Sequence, residues 1–83
     1  MDQLLRLTES PLGQEMVVQR IDIDDDEIVR LRDMGLNEGV SLRIVRYAPL
    51  GDPLEIKVRS FYLTIRKSLA RHIWVAPKIS GTL

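Results

Sequence analysis

The chain contains no cysteine, which excludes disulfides, thiolate zinc sites, iron–sulfur clusters and a cysteine nucleophile. Histidine occurs once, as His72, beside Ile73-Trp74-Val75. No patterned serine or cysteine lies near it, which makes it a poor general base, so it reads as a structural or surface residue. Aromatics are few: one Trp, one Phe and two Tyr. Single-strand nucleic-acid binding uses several stacking aromatics in a basic groove, and this chain lacks that supply. No apolar run approaches the roughly 20 residues of a membrane-spanning helix. The first ten residues, MDQLLRLTES, lack a basic segment followed by a long apolar stretch, so no secretory signal is read there. Glycine-rich phosphate loops are missing too, since Gly35 and Gly39 read as a helix end and a turn.

Net charge is also lacking: twelve bases cancel twelve acids in 83 residues. The cancellation conceals a division. Residues 1–38 hold ten acids and four bases, net −6, and residues 39–83 hold two acids and eight bases, net +6. Total charge is then a poor guide to partners. The length allows one domain, residues 1–83, and excludes a two-lobed enzyme. With 45% apolar residues the chain is globular in composition. A small fold without disulfides suits the cytosol.

Met1–Gly13 reads as an arm broken by Ser10-Pro11 and Gly13. Glu15–Ile23 is rich in β-branched residues and predicts a strand, although Val17, Gln19, Ile21 and Ile23 alternate imperfectly. Asp24-Asp25-Asp26-Glu27 precedes Ile28, Leu31 and Met34, which share one helical face. A helix over Asp26–Met34 follows, with Asp24 or Asp25 capping its first N–H groups and Gly35 ending it while Leu36 folds back. The acidic run lacks the spacing of a calcium loop, so capping outweighs metal binding, and no metal or cofactor is expected.

Val40–Tyr47 and Leu54–Arg59 predict a hairpin with Ile44 opposite Ile56 and a bulge or strand end at Val45-Arg46. The connecting loop Ala48–Pro53 is framed by Pro49 and Pro53 and carries Leu50 at its tip. Leu50 is expected to fold back and plug the end of a barrel; otherwise it is an exposed apolar anchor. Phe61, Leu63 and Ile65 continue an inward set, Arg66–Arg71 makes one helical or 3₁₀ turn, His72–Val75 is a last strand, and residues 77–83 form a loose tail around a core of about 13–75. Five short strands with one helix after the first fit a small closed or half-closed barrel, because closure hides edges.

The segments Leu31-Arg32-Asp33-Met34-Gly35-Leu36, Gly39, Ala48-Pro49-Leu50-Gly51-Asp52-Pro53-Leu54-Glu55-Ile56-Lys57-Val58-Arg59, Leu63-Thr64-Ile65-Arg66-Lys67 and Ala70, in that order, resemble the ferrous iron transport protein A (FeoA) family. The resemblance spans about Gly13 to Val75. It implies a mainly β, SH3-like barrel in the bacterial cytoplasm, without catalysis, that serves ferrous iron uptake by binding the membrane GTPase transporter FeoB. One departure is Ser60, where the family often has glycine; a positive φ there would cost stability. A similar domain ends iron-dependent repressors, which makes a module of an iron-dependent regulator or of a nucleic-acid-associated complex the alternative.

The expected partner surface combines Pro49, Leu50, Gly51 and Asp52 of the loop with Arg43, Lys57 and Arg59, which share the outward parity of adjacent strands and would steer acidic groups. No nucleic-acid partner is expected.

Overall fold

The computed structural model describes residues 4–79. They form six strands in one antiparallel sheet: β1 (Leu5–Arg6), β2 (Met16–Ile21), β3 (Ser41–Tyr47), β4 (Leu54–Val58), β5 (Phe61–Ile65) and β6 (Ile73–Pro77). The helices are α1 (Asp26–Asp33) and the one-turn α2 (Lys67–Ala70), with a 3₁₀ turn at Leu7–Glu9.

The strand order is β1-β6-β2-β3-β4-β5. Among the described residues β1 and β5 are unpaired edges, so the sheet is mainly β as expected but is not closed by hydrogen bonds. A sixth strand enters from the arm: Leu5 pairs with Val75 and Arg6 with Trp74. The arm also gives Leu7 to the core, fully buried, which extends the core beyond the expected residue 13. At the other end β6 reaches Pro77, and the Lys78 N–H donates to the Glu15 carbonyl at 3.0 Å. The rest of the expected tail, residues 80–83, lies outside the described residues.

The core is the inner face of this sheet, covered by α1, α2 and the arm. Leu42, Ile44, Leu54, Ile56, Val58, Leu63, Ile65, Ile73 and Val75 are buried on alternate positions of β3 to β6, the period-2 pattern of a half-buried sheet. The uneven pattern of β2 has a cause. Its register against β6 slips between Val18 and Arg20, a bulge at Gln19. The extra residue reverses parity: Met16 and Val18 face inward before it, Ile21 and Ile23 after it. β3 carries the second bulge, between Ile44 and Arg46, where the hairpin sequence placed it. Ile44 stands opposite Ile56.

α1 begins at Asp25, whose Oδ1 accepts the Glu27 N–H at 2.7 Å, satisfying one of the helix's free donors. It ends in a Schellman motif. The Leu36 N–H returns to the Leu31 carbonyl and the Gly35 N–H to the Arg32 carbonyl, both at 3.0 Å, with Gly35 at φ +110°. Leu36 is thereby turned into the core. Phe61, expected inward, is 40% exposed. It lies at the start of the edge strand β5, and its ring covers Gly35: a Cβ added there would sit 3.6 Å from it.

One turn departs from expectation. The positive φ of the β4–β5 turn falls on Arg59, at +56°, and not on Ser60. A side chain in that region costs about 1–2 kcal/mol, so the strain belongs to the residue before the one suspected. The Asp52–Pro53 peptide is cis.

Candidate functional site

The loop between β3 and β4 is tied down from three sides. Its own backbone closes it, with Ala48 N–H to Pro53 carbonyl at 3.0 Å and Gly51 N–H to Ala48 carbonyl at 2.7 Å. Gly51 takes φ +88°, a conformation that glycine adopts without cost. The Asp52 carboxylate leaves the loop and accepts the Lys67 N–H at 3.0 Å, so it caps the start of α2. The Lys67 ammonium then reaches back over the Tyr47 ring, 5.7 Å from its centroid. Asp52 is therefore a structural member of the expected surface, spent inside the molecule.

Leu50 does the opposite of what was expected. It is 96% exposed and plugs nothing. The sheet end is filled by Leu54 and the half-buried Tyr47, its partner in the register. A single exposed leucine is ordinary. A leucine held in water by a loop anchored at both ends is less so, because ordering the loop yields no burial in return.

The cations are arranged in part as expected. Arg43 and Lys57 stand directly opposite one another on the outer face of β3 and β4, and Lys57 faces Tyr62 of β5 with its ammonium 5.7 Å from the ring centroid. Like charges in register repel, and neither has an ion-pair partner among the described residues. Arg46, by contrast, is paired to Glu55 at 3.3 Å. Arg59 sits in the turn at the far end of β4 from the loop, roughly 20 Å away at ~3.3 Å per residue. The structure thus joins Arg43 to Lys57 and separates Arg59 from Leu50.

Sequence reasoning missed one member. Pro11-Leu12-Gly13 repeats the Pro-Leu-Gly of residues 49–51. Gly13 has φ +82°, its N–H donates to the Ile44 carbonyl at 2.8 Å, and Leu12 is 61% exposed. Met16 stands opposite Leu42 near the start of β3, and the chain before it runs antiparallel along β3, so this turn lies beside Ile44, in the direction in which β3 runs to its loop. The repeated tripeptide was the available signal.

A groove of about 370 Å³ lies between α1 and β5, lined by Glu27, Arg30, Leu31, Met34, Tyr62, Leu63 and Thr64. One wall is held by the Arg66–Glu27 pair at 3.2 Å. At the helix end Arg32 grips Glu38 at 2.8 and 3.1 Å. That hydrogen bond, aided by the backbone N–H groups of Glu38 and Ile21, holds the Glu38 carboxyl at about 2, well below its usual 4.5.

No group of three His, Asp or Glu side chains that could hold a metal ion occurs among the described residues. His72 is bound through its backbone, its N–H to the Leu69 carbonyl and its carbonyl to the Asp22 N–H. No described helix is long and apolar enough to cross a membrane. The chain is thus a small, mainly β domain of one open sheet that carries an anchored, solvent-facing apolar loop.

The comparisons give that class its family. The FeoA domain family matches residues 5–77. The FeoA protein of Chlorobium tepidum is 32% identical, with a TM-score of 0.85 over 94% of this chain and 74% of that one. Stenotrophomonas maltophilia FeoA, solved with zinc and described as a prokaryotic SH3 domain protein and a candidate ferrous iron transport activating factor, is also 32% identical. It has a TM-score of 0.70 over 86% of this chain and 88% of that one. A manganese-dependent transcriptional repressor shares the fold at TM-score 0.80 but only 19% identity, over 94% of this chain and 44% of that one. The chain belongs to the FeoA family.

Proposed function

We propose that this chain is a cytoplasmic, non-catalytic accessory protein of bacterial ferrous iron uptake and that it binds the FeoB-type membrane GTPase transporter. The observation that carries the reading is Leu50, almost wholly in solvent on a loop that Asp52 anchors to α2. Pro49 and Gly51 shape the tip, the exposed Leu12 on the turn beside β3 adds a second apolar contact, and Arg43 and Lys57 orient acidic groups of the partner. Arg59, about 20 Å from the loop, still falls within a standard interface of about 800 Å² per partner.

Burying a leucine is worth about 1.5–3 kcal/mol. Leu50→Asp is therefore expected to weaken binding to the transporter's cytoplasmic domain by about tenfold or more, while circular dichroism and thermal midpoint stay those of the parent. Affinity unchanged in a folded Leu50→Asp variant removes the loop from the interface. The alternative, a module of a nucleic-acid-associated regulator, predicts duplex binding that falls steeply with salt.

A further inference from the structure

A second surface lies on the outer face of β1, β6 and β2. Trp74 of β6 is in register with Arg6 of β1 on one side and Arg20 of β2 on the other. Both guanidinium carbons lie over the indole, 4.9 and 5.4 Å from its centroid. The two cations are therefore no more than about 10 Å apart. Neither has an ion-pair partner among the described residues. The acid nearest in sequence to Arg6, Glu9, is committed to the Arg6 backbone N–H at 2.8 Å. The Trp74 Nε1–H is buried and has no acceptor among the described residues.

Stacking on the ring orders both arginines before any ligand arrives, which removes part of the entropy cost of binding. Holding two like charges close together is unfavourable until an anion neutralises them. Half-buried Val17 and Ala76 stand in register beside the cluster on the same face. Tryptophan and arginine among small apolar groups make the composition of a protein-interface hot spot.

We propose that Arg6, Trp74 and Arg20 form a receptor for an acidic protein segment that presents one carboxylate to each guanidinium. Carboxylates two residues apart on an extended chain are separated by about 7 Å, within the span of the pair. The site lies apart from Leu50 and does not depend on the transporter reading.

Trp74 is the only tryptophan, so its fluorescence reports on this site alone. The test titrates the full chain with an eight-residue peptide alternating Glu and Thr. A saturable change in emission is expected, weakened by salt and absent with a Lys–Thr peptide. Arg20→Gln and Arg6→Gln should each lower the affinity about tenfold, with folding checked by circular dichroism. If Arg6→Gln loosens the two-residue β1, Arg20→Gln on the longer β2 carries the test. No saturable response, or one retained in a folded Arg20→Gln variant, overturns the proposal. So does inorganic pyrophosphate or phosphatidylglycerol vesicles saturating the signal more tightly than the peptide, which would assign the site to phosphate.

Discussion

Three connections in this molecule carry a leucine beside a glycine of positive φ, and two of them, after α1 and after β3, treat it in opposite ways. After α1 the chain runs Met34-Gly35-Leu36, and Leu36 is fully buried. After β3 it runs Pro49-Leu50-Gly51, and Leu50 is 96% exposed. Both connections are held by specific bonds: the first by the Schellman hydrogen bonds and the Arg32–Glu38 pair, the second by Asp52 on the Lys67 N–H. In the first, order is compensated by burial of the leucine. In the second it is not, and stability alone gives no reason for the arrangement. An ordered loop that keeps its apolar tip in water has the form of a surface prepared for something else.

The comparison breaks most visibly at the leucines. Leu36→Ala should destabilise the fold by about 2–5 kcal/mol, read as a lowered urea midpoint. Leu50→Ala should stay within about 0.5 kcal/mol of the parent. Equal losses would mean that Leu50 is packed in solution. Next in size is the anchor. Asp52→Ala removes the cap of α2 and should cost about 1 kcal/mol, a drop in thermal midpoint of about 4–8 °C for a domain of this size. No drop would show that the loop is not fastened there.

Arg59→Gly relieves a positive φ outside both connections and should add about 0.5–1 kcal/mol. Smallest is the clamp of the first connection. The Glu38 carboxyl is held at about 2 against 4.5, so its contribution is present above pH 4.5 and is lost as pH falls towards 2. The pair is largely exposed, which limits the effect to about 0.2–1 kcal/mol. Acid titration of stability in Glu38→Gln should lose that increment, and an identical pH profile would remove the clamp from the account.

Much of the fold was legible because it is set locally. The acidic run, the spacing of Ile28 and Leu31, and Gly35 define α1 within a few residues at each end. The parity of Val40–Tyr47 against Leu54–Arg59 fixes both the Ile44–Ile56 register and the bulge beside it. What escaped depends on distant partners. Strand β1 is two residues long and pairs with β6, whose residues lie far along the chain, and no period can announce so short a strand. The open edges follow from that order and not from any local pattern. For the site, Arg43 opposite Lys57 was readable from parity. The exposure of Leu50 was not, since a loop tip has no alternating face. Nor was the Arg6–Trp74–Arg20 stack, which brings two residues of the acidic half onto a strand from the basic half. The strain at Arg59 in place of Ser60 turned on one residue of turn phase.

The most direct test of the loop as a contact surface is to follow backbone amide resonances of the ¹⁵N-labelled chain as the transporter's cytoplasmic domain is added. The largest shifts are expected on Leu50 and Gly51, with Leu12, Arg43 and Lys57 following. Shifts confined to the groove between α1 and β5, at Leu31, Met34 and Leu63, with residues 48–53 unmoved, would contradict it.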